Sequence, residues 1–259
     1  MRIAVVGHVE WVQFARVPSM PRAGEIVHAT DVWEEPGGGG AVVAAQLAKL
    51  NRRCEFFTAL GDDVLGRQCV VVLAELGIDV HVRHEGATRR AFTHLDANGE
   101  RSITVLGDKL LPRGPLPLHG YDGVFFVSGD AAALESARSA RFLAATSREL
   151  PTLRAAGVRL DLLVGSASDP GERYEGGLDV RLVVRTAGPE GGEADGRRYS
   201  AVPLPGPVVD SYGAGDSFAA ALCFALARGD SLDDALALAA RAGAAVMTGR
   251  GPYPAQISR

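Results

Sequence analysis

The chain has 259 residues, is 47% hydrophobic and 22% charged, and carries a formal net charge of −4. These values suit one large α/β domain with a full core and exclude a general affinity for nucleic acid, which needs a basic surface. No apolar run of about 18 residues occurs, so no membrane span is expected.

Three scattered cysteines, Cys54, Cys69 and Cys223, cannot make a disulfide framework. They predict buried free thiols in a reducing, cytoplasmic setting. Ile3–Val6 is a short apolar run closed by Gly7, the pattern of a buried parallel strand rather than a signal peptide. A strand ending in glycine raises a dinucleotide-binding oxidoreductase. His8-Val9-Glu10-Trp11-Val12 holds no G-x-G-x-x-G, which disfavours it. Residues 9–33 alternate weakly and predict short strands with turns at Pro18 and Pro21.

Pro36 and the glycines Gly37–Gly40 precede a predicted helix over Ala41–Leu50. They form either a flexible loop or a set of bare amides at a helix N-terminus. Phe56–Leu60 predicts a second buried strand, and Gly61-Asp62-Asp63-Val64-Leu65-Gly66 leads into a helix that stops near Leu76, before Gly77. Asp62 and Asp63 are candidate metal ligands, but capping of that helix is the expected role. Val80–Arg83, Arg90–Leu95 and Arg101–Val105 predict further strands, the last two joined by an Asn98-Gly99 hairpin turn. Together with residues 9–33, the region 80–106 predicts a small sheet lying over the main domain as a lid. His81 and His84 lack further ligands at metal spacing and are read as lid or surface histidines.

Strands follow at Val124–Gly129, Leu160–Val164 and Val180–Val184, with a helix over about Ala133–Leu150 and a polar turn at 193–201. The C-terminal part predicts two helices. Gly229 ends the first, and Ser231-Leu232-Asp233-Asp234 starts the second with an approximate capping box. The alternation predicts an α/β fold: a doubly wound, mostly parallel sheet flanked by helices, forming a single domain over 1–259 with a small β lid. Ligands would sit at the carboxyl ends of the strands, where the glycine loops fall.

The most informative stretch is Asp210-Ser211-Tyr212-Gly213-Ala214-Gly215-Asp216-Ser217-Phe218, between a Pro-rich extended segment and a predicted helix. Unpaired amides and the helix dipole make that N-terminus positive, and Gly213 and Gly215 let a ligand approach the backbone. The result is an anion hole suited to phosphate. Asp216 either caps the helix or accepts a proton from a hydroxyl that attacks a phosphoryl group.

The stretch resembles the D-T-x-G-A-G-D-x-F motif of the ribokinase-like, or PfkB, carbohydrate kinases, with Ser211 for Thr. The resemblance implies Asp216 as catalytic base and Gly213, Ala214 and Gly215 as anion hole. Thr186-Ala187-Gly188-Pro189-Glu190-Gly191 resembles the family's T-x-G-x-x-G, which implies nucleotide contacts from Thr186, Gly188 and Gly191. By the same resemblance Glu10, Gly38, Gly39 and Asp210 would meet the acceptor.

Three further motifs depart from the family's pattern. Val42 stands at the Asn of G-G-x-x-x-N-x-A, and Glu10 and Val12 at the Asn and Asp of G-x-x-N-x-D. Ser166-Ala167-Ser168-Asp169 replaces N-x-x-E and leaves Asp169 as a weak metal candidate. The implied activity is ATP- and Mg2+-dependent phosphorylation of a hydroxyl on a sugar or nucleoside. A dimer through the lid is also expected. A non-catalytic sugar- or nucleotide-binding protein is the alternative suggested by the departures. No G-x-x-x-x-G-K-[ST] is present, so P-loop chemistry is not indicated.

Overall fold

The four apolar residues of β1 (Ile3–Val6) are all buried, as a strand covered on both faces must be. In the computed structural model, which describes residues 1–259, β1 lies within a nine-stranded sheet. On one side come β4 (Cys54–Leu60) and β5 (Ile78–His84). On the other come β8 (Gly123–Phe126), β9 (Phe142–Thr146), β10 (Leu162–Ser166) and β11 (Val183–Thr186). These seven strands are parallel. An antiparallel hairpin, β12 (Gly192–Ala194) and β13 (Arg197–Tyr199), closes the far edge.

Strand order runs outward in both directions from the β1/β8 pair. Such a reversal opens a crevice at the carboxyl ends of the strands. Here the crevice lies between Gly7-His8 and Val127-Ser128. The two faces of β1 feed different cores. Ile3 and Val5 join a core of 42 buried residues with α1 (Gly39–Asn51), α2 (Val64–Glu75), α5 (Ala214–Arg228) and α6 (Leu232–Val246). Ala4 and Val6 join a core of 17 with α3 (Ala131–Ala137) and α4 (Leu150–Ala156). The sheet is thus covered on both faces, as a parallel sheet requires.

A second, four-stranded sheet has the order β3-β2-β6-β7: β2 (Glu10–Arg16), β3 (Asp31–Gly37), β6 (Arg90–Leu95) and β7 (Arg101–Leu106). Val12, Phe14, Ala91 and Leu95 on its inner face continue the larger core. β7 is exposed along its whole length. Its register pairs Ile103 with Thr93 and Val105 with Ala91, so these two exposed apolar residues share the inner face.

The structure corrects four expectations. Val80–Arg83 lies in β5, paired in parallel with β4 at the edge of the main sheet, and is not part of the lid. The helix expected over Ala133–Leu150 is two short helices separated by β9, a buried strand of the main sheet. Residues 193–201 hold the β12–β13 hairpin rather than a plain turn. The first lid region extends past residue 33, since β3 runs to Gly37 and α1 starts at Gly39.

Candidate active site

Two helix N-termini converge over the crevice. At α5, Gly213 is the N-cap with φ 84°, a left-handed conformation that costs glycine little. A Cβ there would also lie 2.9 Å from Val42 and 3.2 Å from Pro252. Ser217 N–H donates to Gly213 O at 2.9 Å and Ala214 N–H turns back to Ser211 O at 3.5 Å, which leaves the amides of Gly213, Gly215 and Asp216 without a backbone partner. Asp216 sits in the first turn but caps nothing. At α1, Gly38 has φ 85° and its N–H donates to Tyr212 Oη at 2.8 Å, joining the two glycine loops.

Gly39 is pressed against the carboxylate of Asp216. A Cβ on Gly39 would lie 3.1 Å from Asp216 Oδ1 and 3.1 Å from Val127 Cγ1. Gly38 faces the neighbouring side chains: its Cβ would lie 3.1 Å from His8 Nε2 and 3.5 Å from Glu10 Cγ. Consecutive glycines therefore stand between His8 and Glu10 on one side and Asp216 on the other. His8 Nδ1 shares a hydrogen bond with Ser128 Oγ at 3.0 Å, bridging the ends of β1 and β8.

Burial raises the Asp216 carboxyl to about 6; Arg101 and Arg148 pull it down and Glu172 pushes it up. A carboxylate poised near neutrality suits proton acceptance. His8 is held well below its usual value by burial, then by Lys109 and Arg89, so its imidazole is neutral. Burial raises Glu10 against the pull of Arg89 and Lys109.

The residues singled out from sequence fall into distinct places. Asp216, Gly38, Gly39, Glu10 and the Gly213-Ala214-Gly215 loop come together. Asp210 is wholly buried. Its oxygens accept from Tyr212 N–H at 2.7 Å and Gly251 N–H at 3.0 Å, so it braces the loop rather than meeting an acceptor. Val12 and Val42 are 0% exposed, packed under the glycines, and do not line the cleft. Asp63 caps α2 through Gly66 N–H and also accepts from Thr88 N–H.

Thr186 ends β11 beside Ser166 of β10. Gly188 (φ 56°) opens onto free space, whereas a Cβ on Gly191 would collide with β13. Asp169 caps a single 3-10 turn, accepting from Gly171 N–H, and pairs with Arg148 at 2.5 Å. Glu172 pairs with the same guanidinium at 2.9 Å and accepts from Ser166 N–H at 2.7 Å.

Sequence reasoning missed His8, Arg89, Lys109, Arg101, Arg148 and Glu172. Arg101 projects from lid strand β7 and donates to Ser211 O at 3.1 Å and Ser211 Oγ at 3.3 Å. It has no carboxylate partner. Glu172 lies three residues beyond the position at which a carboxylate was sought, and only folding shows that it turns back to Ser166.

Two carboxylates, Asp169 and Glu172, share one arginine. Their four oxygens already accept from Arg148, Gly171 N–H and Ser166 N–H, so a cation there would have to displace the guanidinium.

The sequence profile described as pfkB family carbohydrate kinase matches residues 1–139 and 177–258. An aminoimidazole riboside kinase of Salmonella typhimurium is 28% identical over 277 residues, 86% of each chain. Among solved structures, a ribokinase from Thermotoga maritima superposes with TM-score 0.78 at 20% identity, covering 100% of this chain and 96% of that one. A ribokinase from Cryptococcus neoformans, solved with ADP, superposes with TM-score 0.78 at 24% identity, covering 99% and 97%.

Proposed function

The chain belongs to the pfkB family of carbohydrate kinases, and from that premise we propose that it transfers the γ-phosphoryl group of ATP to a hydroxyl of a sugar or nucleoside, with Asp216 as base. The observation that carries this reading is the placement of Asp216: in the first turn of α5, capping nothing, against Gly39. A protein that only binds ligand has no use for a partly exposed carboxyl raised to about 6 at that point. That weighs against the non-catalytic alternative.

In this reading the acceptor hydroxyl lies on Asp216, which takes its proton as the oxygen attacks. The Gly213-Ala214-Gly215 loop, at the positive end of α5 and with the Gly213 and Gly215 amides unpaired, would meet the charge that grows on the phosphoryl oxygens. Arg101 adds a cation at the mouth of the same loop. Thr186 and Gly188 border the nucleotide phosphates. Asp169 and Glu172 would hold Mg2+, whose chemistry is to neutralise charge on the nucleotide phosphates, only by releasing Arg148. Lid strands β6 and β7 exclude water, which favours transfer over hydrolysis.

The test is ADP production with MgATP against sugars and nucleosides, in wild type and Asp216→Asn. Turnover with an acceptor that collapses in the variant supports the reading. A wild type that binds ATP or sugar as well as the variant does, and turns over nothing, would sink it.

A further inference from the structure

The turns that follow β9 and β10 meet around one guanidinium. Arg148 Nη2 stands 2.5 Å from Asp169 Oδ2 and 2.9 Å from Glu172 Oε1. The other oxygen of each carboxylate is fixed by a backbone amide. Gly171 N–H donates to Asp169 Oδ1 at 2.8 Å, and Ser166 N–H to Glu172 Oε2 at 2.7 Å. The backbone makes room for the cation, since a Cβ on Gly171 would lie 3.0 Å from Arg148 Nη1. Burial works against the Arg148 charge, but Glu172 and Asp169 outweigh it. All three residues fall within 140–176, which the family profile leaves unmatched.

The guanidinium has donors to spare. Both carboxylate contacts use Nη2, so the hydrogens on Nε and Nη1 have no partner, and half of the side chain is exposed. Exposed ion pairs add little to stability, so two amide-fixed carboxylates on one arginine call for another use. The trio lies by the cleft. Ser166 is the register partner of Thr186, which opens the nucleotide loop. The charges of Arg148 and Glu172 both act on Asp216.

Resting on the kinase reading above, we propose that Arg148 is the resident cation of the phosphate site: Asp169 and Glu172 hold its guanidinium in place of a divalent metal, and its free Nε–H and Nη1–H bind a phosphate of the nucleotide. A guanidinium presents a planar fork of donors that matches phosphate oxygens. Mg2+ demands near-octahedral oxygens at about 2.1 Å. Here the two inward oxygens are taken, and the three side chains together carry a single net negative charge. A dication on those oxygens would sit against a group of like sign. The divalent ion of the reaction is then the one that arrives on ATP, and the protein holds none of its own.

The experiment measures Mn2+ binding to the nucleotide-free protein by electron paramagnetic resonance, and ATP binding in EDTA by calorimetry. Wild type, Arg148→Met and Arg148→Lys are compared. Arg148→Met vacates the carboxylate pair and should bind Mn2+ at least about 10-fold tighter than wild type. It should bind metal-free ATP about 10- to 100-fold more weakly, the loss expected for a charged hydrogen bond. Arg148→Lys keeps the charge but not the fork. It should bind Mn2+ no better than wild type and ATP as weakly as Arg148→Met. At fixed MgATP, added free Mg2+ should leave the wild-type rate unchanged and raise that of Arg148→Met. A merely structural ion pair would leave metal-free ATP binding untouched.

Wild-type protein that binds Mn2+ as tightly as Arg148→Met, or loses such binding in Asp169→Asn, overturns the inference even if the Arg148 variants do not fold. Metal-free ATP binding that Arg148→Met leaves unchanged overturns it as well. Both titrations are made without an acceptor. Obtained as expected, with no turnover of any acceptor, they would keep this inference and remove the kinase reading.

Discussion

Asp216 carries a testable pH signature. Its carboxyl is raised to about 6, chiefly by burial. The rate should therefore fall as pH drops through about 6 and level off above it, since only the ionised form accepts a proton. A kcat/KM profile checks this, and a profile flat down to pH 5 would contradict it. Stability follows with the opposite sign. The unfolded chain loses this proton near its ordinary value and the folded chain holds it until about 6, so ionised Asp216 costs stability above that pH. Asp216→Asn should be inactive yet melt a few degrees higher at pH 8, a gain on the order of 2 kcal/mol.

Arg101 belongs to the same scale. It pulls the Asp216 carboxyl down and anchors on Ser211. Arg101→Met should cut kcat about 10- to 1,000-fold by removing charge from the phosphoryl site. It should also move the acid limb of the profile to higher pH, an effect that a merely structural role would not have. The placement of Asp216 in the first turn of α5, behind glycines, was legible in the sequence because a left-handed N-cap calls for glycine and the spacing sets Asp216 just inside it. Arg101, His8 and Glu172 were not, because their roles depend on which strand ends and loops meet in space. The valines at expected polar positions were misleading for the same reason: sequence shows the substitution but not that both side chains point into the core.

At the level of elements, the two N-termini explain why glycine recurs. Gly213→Ala would combine a φ of 84° with contacts at 2.9 Å to Val42 and 3.2 Å to Pro252. A loss of about 1–3 kcal/mol is expected from backbone strain, plus lost activity. Asp63 is a second such joint, since its carboxylate caps α2 and holds Thr88, the residue before Arg89. Asp63→Ala should cost about 2 kcal/mol, a fall of roughly 4–8 °C in melting temperature. Burial opposes ionisation there, but the amides of Thr88 and Gly66 outweigh it and hold the carboxyl below its usual value. The stabilisation is therefore present at neutral pH and fades as pH falls through that lowered value. Differential scanning calorimetry at pH 7 and pH 3 distinguishes this from a pH-independent packing loss. Capping was readable from Asp63 before an apolar run. The β9 strand was not, because Phe142-Leu-Ala-Ala-Thr146 is alanine-rich and no Gly or Pro separates it from α3. The β5 strand resembled a lid strand because an edge of the main sheet shows the same half-exposed alternation.

At the scale of the whole molecule, the lid is the part whose state should depend on ligand. Its inner strands β2 and β6 are fixed through Val12, Phe14, Ala91 and Leu95 in the larger core. β7 is exposed at every residue, with Ile103 and Val105 on the inner face. Only Arg101, at the start of β7, reaches the loop before α5, through Ser211. An edge strand with few buried contacts opens readily, so its amides exchange with solvent at low protection. Binding of MgATP with an acceptor gives Arg101 a phosphoryl group to meet and the two apolar side chains a surface to cover. Amide exchange across 101–106 should then slow at least about 10-fold, more than across β2. The slowing should be lost in Arg101→Met and retained in Asp216→Asn, which keeps the cleft but not the proton acceptor. A dimer through the lid would instead protect β7 without ligand, and a solution mass showing only monomer would remove that possibility. Protection that appears with MgATP alone would place closure before acceptor binding and make water exclusion, rather than acceptor recognition, the first act of the lid.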